Sequence, residues 1–409
     1  MSNSPLKIAV VGGGIGGLAT AAFCHRAGLE CTVYEQAPAL KEVGAGLVVA
    51  PNAARLLRRL GALDEFAKRA VRLETGWEFR RWADGRVLSA EDLAASCEHL
   101  YGEHTYTAHR ADLLETLRTL IPNRQLRLSS RCLSVDANGE RVSLRFASGE
   151  VTEADVVVGA DGIHSVVRAT LTDPAPPAYS GLCAFRALVP ARKAPEFARR
   201  NAQTLWIGPG HHLVHYPVSA GRFVNLVAFA PAGDYTVESW TATATVEEFL
   251  AEFSGWDPRL VSLIEAAGTP GRWALLDRVP LTRWSHGRIT LLGDAAHPMF
   301  PFFAQGAAQA MEDAAVLAAC LAGSPVAGLA DPVAGPVDPV AALRRYESLR
   351  LSRTTRLQEV SRARAHVNHL PDGPDQRARD EAFADADPLT ANAWIYAYDP
   401  ASPQDDATA

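Results

Sequence analysis

The sequence lacks the features that mark secreted, membrane-spanning and nucleic-acid-binding proteins. Its 6 cysteines include no C-x-x-C pair, which favours buried, reduced thiols over a disulfide framework. No window of roughly 18 residues is apolar throughout, and Gly12 ends the first apolar run early, so neither a spanning helix nor a signal peptide is expected. Basic residues, 40 against 46 acidic ones, are not in excess. We therefore expect a cytoplasmic protein that binds neither membrane nor nucleic acid.

Metal-binding patterns are also missing. His211, His212 and His215 stand close together but have no cysteine or acid nearby in ligand spacing, so no metal site is predicted. What the chain does have is size and apolar content, with 409 residues of which 48% are hydrophobic and 21% charged. At about 150 residues per domain, this length predicts two domains or one large discontinuous domain.

The first segment has the pattern of a strand, a helix and a second strand. Residues 6–11 form a short apolar run that is typical of a buried parallel strand. Residues 15–27 are predicted to be a helix, and Gly28 stands where a helix commonly ends. Residues 31–35 follow as a second strand. The opening is therefore predicted to be a βαβ unit.

The loop between the first strand and the helix fits the G-x-G-x-x-G pattern. Gly12 suits the tight turn, Gly14 lets a pyrophosphate approach the backbone, and Gly17 lets the helix pack closely on the strand. Glu35 ends the second strand, where an acid commonly accepts a hydrogen bond from a ribose hydroxyl. Strand, glycines, helix and acid together predict dinucleotide binding, but they do not distinguish FAD from NAD.

The rest of the chain alternates between strand-like and helical stretches. Antiparallel strands are predicted over 76–90, 126–151 and 180–230, a helical stretch over 246–266, and a buried strand over 288–292 that leads to a small-residue helix ending near 321. Residues 323–339 are predicted to be a linker, and residues 400–409 a frayed end. The helix predicted over 340–367 is rich in arginine, which we assign to a solvated helix face.

Two distant segments complete the pattern. Residues 154–168 contain the strand-turn sequence Ala160-Asp161-Gly162 and, further on, Arg168. Residues 293–298 read Gly-Asp-Ala-Ala-His-Pro and precede the small-residue helix. Each segment alone predicts only a strand, a turn and the start of a helix.

With the opening glycines, these segments make the chain resemble class A flavoprotein aromatic hydroxylases, near the salicylate hydroxylases, 3-hydroxybenzoate 6-hydroxylases and 6-hydroxynicotinate 3-monooxygenases. The resemblance runs from residue 6 to about 399. It implies an α/β fold with a Rossmann-like FAD-binding domain, an inserted β-sheet substrate domain and a C-terminal helical region. The implied bounds are 1–75, 100–175 and 276–322 for the FAD-binding domain, 76–99 and 176–275 for the substrate domain, and 340–399 for the helical region.

The resemblance also implies which residues hold FAD. Asp294 would bind the ribityl or pyrophosphate region, and the helix that begins near Gly306 would direct its positive end at the flavin ring. Cys132 would contact adenine through its backbone. Residues 43–48 resemble the loop that passes under the flavin ring, here called the flavin-side loop, and Val48 in it stands where the hydroxynicotinate enzymes carry a histidine. The full set is Gly12, Gly14, Gly17, Glu35, Gln36, Val48, Arg110, Cys132, Asp161, Arg168, Asp294, Gly306 and Ala307.

The substrate site is predicted from one strand and one loop. Residues 211–217 alternate, so His212 and Tyr216 share a face, while His211 and His215 point the opposite way. His212 and Tyr216 match a His-x-x-x-Tyr pair that faces the substrate in the 3-hydroxybenzoate enzymes, and they are our candidate catalytic and substrate-binding residues. Pro298, Phe300 and Phe302 are the further candidates for the substrate wall.

The implied function is hydroxylation of a small phenolic aromatic acid, salicylate- or hydroxybenzoate-like. The implied co-substrates are O₂ and NADH or NADPH, and the implied oxygen donor is a flavin C4a-hydroperoxide. Two alternatives are kept: a nicotinamide-dependent dehydrogenase and a non-catalytic dinucleotide-fold binding protein. The sequence leaves four questions open: which aromatic acid is used, whether hydroxylation removes a carboxylate, whether the co-substrate is NADH or NADPH, and whether the protein is a monomer or a homodimer.

Overall fold

The computed structural model describes residues 6–40, 46–172, 176–237, 242–324 and 337–401. Most of the predicted linker, all but the first two residues of the predicted frayed end, and the start of the loop before Gly46 lie outside these ranges. The strands are β1 Lys7–Val11, β2 Glu30–Tyr34, β3 Gly46–Val49, β4 Val71–Arg72, β5 Thr75–Arg81, β6 Val87–Asp92, β7 Tyr106–His109, β8 Leu126–Arg127, β9 Cys132–Asn138, β10 Arg141–Phe146, β11 Val151–Ala154, β12 Val156–Gly159, β13 Ala178–Pro190, β14 Ala202–Gly208, β15 His211–Val218, β16 Phe223–Pro231, β17 Gly271–Asp277 and β18 Ile289–Leu291.

The helices follow the same chain order. They are α1 Ile15–Arg26, α2 Pro51–Arg59, α3 Leu63–Ala67, α4 Leu93–Tyr101, α5 Arg110–Thr119, α6 Val246–Glu252, α7 Pro258–Glu265, α8 Gly306–Leu321, α9 Pro339–Asn368, α10 Pro374–Asp385, α11 Pro388–Ala391 and α12 Ala393–Tyr396. The predicted helical stretch at 246–266 is in fact two helices, α6 and α7. The chain turns at Gly255, where φ is +79°, and Asp257 then caps α7.

A parallel sheet of five strands, in the order β18-β12-β1-β2-β8, confirms the predicted βαβ unit and the Rossmann-like architecture. Its central strands are apolar on both faces, as parallel strands covered by helices must be. Since the strands run parallel, β1, β12 and β18 end at the same edge, where ligands bind in open α/β sheets. This edge therefore collects the glycine loop and the two distant segments.

A second sheet of seven strands, β17-β13-β16-β15-β14-β5-β6, is antiparallel except between β14 and β5. One face packs on α6 and α7 through a cluster that includes Phe185 and Phe249. The other face packs on the loop before α8 through a cluster that includes Phe229 and Phe302. The two small sheets are β11-β10-β9 and β3-β7-β4. The domain bounds given above stay a prediction.

The long helix α9 corrects one expectation. Arg350 and Arg353 are buried, 0% and 3% exposed, rather than part of a solvated face. The reason is that α9 packs along α8, which supplies acidic partners for both side chains. The cysteines behave as predicted, since all six are buried and unpaired by disulfides. Within the described ranges, no helix has the length and apolar character to cross a membrane.

Candidate active site

The glycine loop after β1 has the geometry of a phosphate cradle. Gly12 has φ +108°, and a Cβ there would lie 2.3 Å from the carbonyl oxygen of Ala160. A Cβ on Gly17 would lie 1.9 Å from the carbonyl oxygen of Gly12, so strand and helix touch at this point. Gly14 differs, because its Cβ would meet nothing within 4 Å, and no side chain caps α1. The backbone amides of the first turn of α1 therefore face open space that suits an anion.

Glu35 lies beside this loop. Its carboxylate accepts hydrogen bonds from the amides of Gly13, at 2.6 Å, and Ala37, at 2.8 Å. Gln36 next to it is exposed, and the residues on either side of it, Glu35 and Ala37, form backbone hydrogen bonds with residues 127–130, which lead into β9. Cys132 begins β9, opposite Phe146 of β10, and its buried thiol is directed at the carbonyl oxygen of Ser134, 3.5 Å away; its backbone contact with adenine stays a prediction.

The turn after β12 is held by Asp161. Its carboxylate accepts hydrogen bonds from the Ser165 hydroxyl and from the amide of Val166, at 2.7 Å. Burial raises the pKa of Asp161. Arg168 is buried and donates to the carbonyl oxygen of Ala295, 3.2 Å away, and burial lowers its pKa to about 10. This segment therefore contacts the turn that carries Asp294.

That turn presents Asp294 to the outside. Gly293 has φ +58°, and a Cβ there would lie 3.2 Å from the Cβ of Ala310 on α8. The amide of Gly293 donates to a carboxylate oxygen of Asp313, 3.0 Å away. Asp294 itself is exposed, and the described residues offer its carboxylate no hydrogen bond. It stands at the same sheet edge as the glycine loop, where a ribityl or phosphate-bearing ligand would pass.

Beneath the turn lies a buried charge network that sequence reasoning missed. Arg350 donates to Asp313 at 2.7 Å and to Glu312 at 2.6 Å, and Arg353 donates to Glu312 at 2.9 Å. His297 lies 2.6 Å from Asp313. Burial would raise the pKa of Asp313, but the charges of His297 and Arg350 outweigh it and hold the pKa at about 2. This low pKa favours the charged carboxylate, which accepts from the amide of Gly293 and fixes that turn from below.

The start of α8 is open in the same way as the start of α1. Gln305 precedes the helix without capping it, and a Cβ on Gly306 would meet nothing within 4 Å. Ala307 is half-buried and small. Asn52 donates to the side-chain oxygen of Gln305 at 3.0 Å and so holds the residue that precedes the helix. The positive end of the α8 dipole is therefore available to a flat, electron-rich ligand.

The hairpin of β3 and β7 links the cofactor side to the seven-stranded sheet. The amide of Gly46 donates to the side chain of Asn225 at 2.8 Å, and a Cβ on Gly46 would lie 2.7 Å from the ring of Tyr216. Val48 is buried on β3, and Arg110 begins α5 directly after β7. The hairpin thus brings the predicted flavin-side loop against the strand that carries Tyr216.

The alternation predicted for β15 is observed. His211 points to α6, with Nε2 3.0 Å from Glu252, and His215 accepts from Trp206 at 3.2 Å. His212 and Tyr216 face the other way and are 2% and 5% exposed. Burial lowers the pKa of His212 well below its ordinary value and raises that of Tyr216.

Aromatic rings surround His212. Its ring stacks on Phe229, with centroids 4.5 Å apart, and meets the edge of Phe302 at 5.0 Å. Phe300 stacks on Phe302 at 5.3 Å. Pro298 is buried, and its carbonyl oxygen accepts from Gln358 at 2.9 Å. Of the residues predicted for the substrate wall, Phe302 contacts His212 directly and Phe300 contacts Phe302, and their contact with a substrate stays a prediction.

These observations fit FAD. The glycine cradle and Glu35 suit the adenosine and pyrophosphate half, because their open amides and acid match phosphate and ribose. The exposed Asp294 suits the ribityl hydroxyls, and the uncapped start of α8 suits the electron-rich edge of the flavin ring.

Comparison with known proteins gives the family. Residues 6–333 match the FAD binding domain family model. The chain is 46% identical over 398 residues to a 3-amino-4-hydroxybenzoate 2-monooxygenase of Streptomyces platensis, covering 97% of this chain and 96% of the relative. It is 37% identical over 357 residues to a 6-hydroxynicotinate 3-monooxygenase of Bordetella bronchiseptica, covering 87% and 90%.

Solved structures agree with the relatives. A salicylate hydroxylase in complex with substrate has a TM-score of 0.80 at 28% identity, with 97% of each chain covered. HpxO of Klebsiella pneumoniae with FAD and uric acid has a TM-score of 0.79 at 26% identity, with 96% of each chain covered. The predicted class is confirmed and the two alternatives fall away: the chain belongs to the FAD binding domain family and is an FAD-dependent aromatic monooxygenase.

Proposed function

We propose that the enzyme hydroxylates a small phenolic aromatic acid of the hydroxybenzoate type, with NADH or NADPH and O₂ as co-substrates. The observation that carries the proposal is the placement of His212 and Tyr216 on one face of β15. That face is lined by aromatic rings and is contacted by Gly46 of the predicted flavin-side loop. A flat ring with one ionisable hydroxyl matches such a surface.

The substrates in the names of the relatives narrow the class of aromatic acid that we propose. Three proteins at 46%, 45% and 39% identity are named 3-amino-4-hydroxybenzoate 2-monooxygenases. Hydroxynicotinate is less favoured, because Val48 stands where those enzymes carry a histidine. We therefore propose an aminohydroxybenzoate as the first substrate to test. Its amino and hydroxyl groups both donate electrons to the ring, which suits attack by an electrophilic oxygen.

The chain's own residues have three tasks in this reaction. When bound, the flavin supplies the redox chemistry, taking a hydride from NAD(P)H and activating O₂. A phenol has a pKa of about 10, so the protein must help to remove its proton. His212 stays neutral because burial lowers its pKa, and so it can offer a ring nitrogen as proton acceptor. Tyr216 stays protonated and can donate a hydrogen bond.

The third task is to exclude water. Phe229, Phe300 and Phe302 bury the His212 face with apolar surface. A dry site strengthens the hydrogen bonds to the substrate and prevents loss of the activated oxygen as H₂O₂. The balanced reaction consumes the phenolic acid, NAD(P)H, a proton and O₂, and yields the hydroxylated acid, NAD(P)⁺ and water.

A screen of hydroxybenzoates tests the proposal. NADH and NADPH oxidation are followed with salicylate, 3-hydroxybenzoate, 4-hydroxybenzoate and 3-amino-4-hydroxybenzoate, and H₂O₂ and product are measured separately. We expect one of these acids to give product in near-equal amount to the cofactor oxidised. Oxidation that yields only H₂O₂ with every acid would refute the substrate class.

Replacement of the two candidate residues then tests the site. His212→Phe and Tyr216→Phe should keep FAD and slow hydroxylation by roughly 10²–10⁴, the usual contribution of a positioned acid or base. His211→Ala is the matched control, since His211 faces α6. Its turnover should stay close to that of the wild type. A dispensable His212 together with an essential His211 would show that the wrong face has been assigned.

A further inference from the structure

We infer that His369 is a positioning residue for His212, which fixes the tautomer of that histidine and carries away the proton of the phenol. The inference rests on the proposed function, because it requires a phenol at His212. His369 lies immediately after α9, 157 residues away from His212 in sequence, and no motif of the chain includes it.

The two imidazoles are in direct contact. Nδ1 of His212 lies 2.6 Å from Nε2 of His369, and the ring centroids are 4.8 Å apart. This contact is the one hydrogen bond that the described residues provide to the His212 ring. At this distance the two nitrogens share one proton, so one ring donates and the other accepts.

The contact is held in place by the backbone. The carbonyl oxygen of His369 accepts from the amide of Gly210 at 3.0 Å, in the turn that leads into β15. The amide of His369 donates to the carbonyl oxygen of Ala365 at 3.1 Å, within the last turn of α9. The end of the helix and the start of the strand are thus tied together, which fixes the distance between the rings.

Both rings are neutral at ordinary pH. Burial and the neighbouring histidines lower the pKa of His212 well below its usual value, and burial lowers that of His369 to about 4. The nearest other titratable groups are His211, on the opposite face of the same strand, and its partner Glu252 on α6. Both ring nitrogens of His211 have other partners, the carbonyl oxygen of Pro209 at 2.9 Å and the carboxylate of Glu252 at 3.0 Å.

One tautomer of the neutral pair allows His212 to act as a base. When Nδ1–H of His212 donates to His369, Nε2 of His212 is left without a proton and can accept one from the phenol. The Nδ1 proton of His212 then moves to Nε2 of His369, while the proton on Nδ1 of His369 passes to solvent, so that both imidazoles stay neutral. His369 is half-buried whereas His212 is 2% exposed, so the transfer runs towards solvent.

Replacement of His369 tests this role. His369→Phe removes the acceptor, and His369→Gln keeps an acceptor but cannot carry a proton. With 3-amino-4-hydroxybenzoate as the probe, we expect His369→Phe to slow hydroxylation about tenfold or more, with a smaller loss in His369→Gln. FAD content and flavin reduction by NAD(P)H should stay normal in both. His366→Phe, an exposed position on the same helix, is the control and should behave as the wild type.

A substrate with a more acidic phenol separates proton transfer from a merely structural role. A fluorine next to the hydroxyl, as in 3-amino-5-fluoro-4-hydroxybenzoate, lowers the pKa of the phenol. It should restore most of the rate of His369→Phe, and so should a rise in pH. A defect that neither change relieves would overturn the inference, and so would a His369→Phe rate equal to the wild type. If the wild type hydroxylates none of the screened acids, the proposed function fails; if it hydroxylates one of them and His369→Phe hydroxylates that acid at the wild-type rate, only this inference fails.

Discussion

The amide of Gly293 donates a hydrogen bond to the carboxylate of Asp313, 3.0 Å away and 20 residues later in the chain. The same carboxylate accepts from Arg350 at 2.7 Å, so an ion pair in the core supports the turn that presents Asp294. This buried network therefore links the Gly293 turn, the start of α8 and the long helix α9. A substitution among its buried residues should weaken FAD binding at the sheet edge.

Arg350→Ala tests this buried network. The replacement leaves Glu312 and Asp313 buried with less than their compensating charge, and breaking a buried pair typically costs about 3–5 kcal/mol. We expect urea denaturation to show a loss of that size in the free energy of unfolding, with loss of bound FAD. Arg344→Ala, exposed on the same helix, should change stability by no more than about 0.5 kcal/mol. Equal stability of the two variants would contradict the network.

The glycine loop offers a matched pair of variants. Gly17→Ala places a Cβ 1.9 Å from the carbonyl of Gly12, so the fold of the βαβ unit should be lost or strongly destabilised. Gly14→Ala places a Cβ in open space, so the fold should survive while the pyrophosphate loses its access to the backbone. Thermal unfolding of the FAD-free proteins and their FAD affinity measure both effects. Normal FAD affinity in Gly14→Ala would show that the phosphate does not lie there.

Asp294→Ala should release FAD without unfolding the protein. The lost contact is a hydrogen bond to a charged group, about 1.5–3 kcal/mol, which corresponds to roughly ten- to hundredfold weaker binding. Flavin content and circular dichroism of the purified variant decide the outcome, with the exposed Asp136→Ala as control. Full flavin loading with normal turnover would mean that the ribityl contact has been assigned to the wrong residue.

Glu91 predicts a pH dependence of stability. It is buried under the C-terminal segment, where burial raises its pKa to about 7 and hydrogen bonds from Asn392 and Tyr396 only partly offset this. The unfolded value is about 4.3, so between these pH values the folded state binds more protons than the unfolded state. The free energy of unfolding should therefore fall as pH rises from about 4 to about 7, by up to about 1.4 kcal/mol per unit.

Glu91→Gln should remove that slope, because glutamine keeps a hydrogen-bond acceptor and has no proton to lose. Urea denaturation between pH 4 and pH 8 gives the comparison, and Glu381→Gln, at an exposed position, is the control. A slope that persists in Glu91→Gln would assign the pH dependence to another group.

The parts of the site that could be predicted from the sequence are those whose conformation depends on a few neighbouring residues. Gly12, Gly14 and Gly17 have roles set by a single turn, and the alternation of β15 follows from the strand period, so both could be read from a few neighbouring residues. The resemblance added Asp294 and the start of α8, which lie far apart in sequence. The resemblance assigns these residues to the FAD site, and their contacts with FAD stay a prediction.

The parts that were missed depend on tertiary contacts. Arg350 and Arg353 look solvated within their own helix, because Glu347 and Glu359 dilute the run of charge; their partners are on α8, some 40 residues earlier. His369 stands at a helix end with no motif around it, and only its own tertiary contacts with Gly210 and the start of β15 bring it to His212. The sequence did contain a signal for the charge network. Two adjacent acids, Glu312 and Asp313, lie in a helix of otherwise mostly small and apolar residues, and acids buried there require cationic partners.

In the proposed reaction one atom of O₂ enters a phenolic acid at the His212 face, and isotope labelling measures this directly. The wild type is given NADH or NADPH, 3-amino-4-hydroxybenzoate and ¹⁸O₂, and the product is analysed by mass spectrometry. We expect the incorporation of one ¹⁸O atom per product molecule, and a sharp fall in labelled product with more H₂O₂ in His212→Phe. Product that carries oxygen from water, or cofactor oxidation that gives only H₂O₂ with this acid and its hydroxybenzoate relatives, would contradict the account.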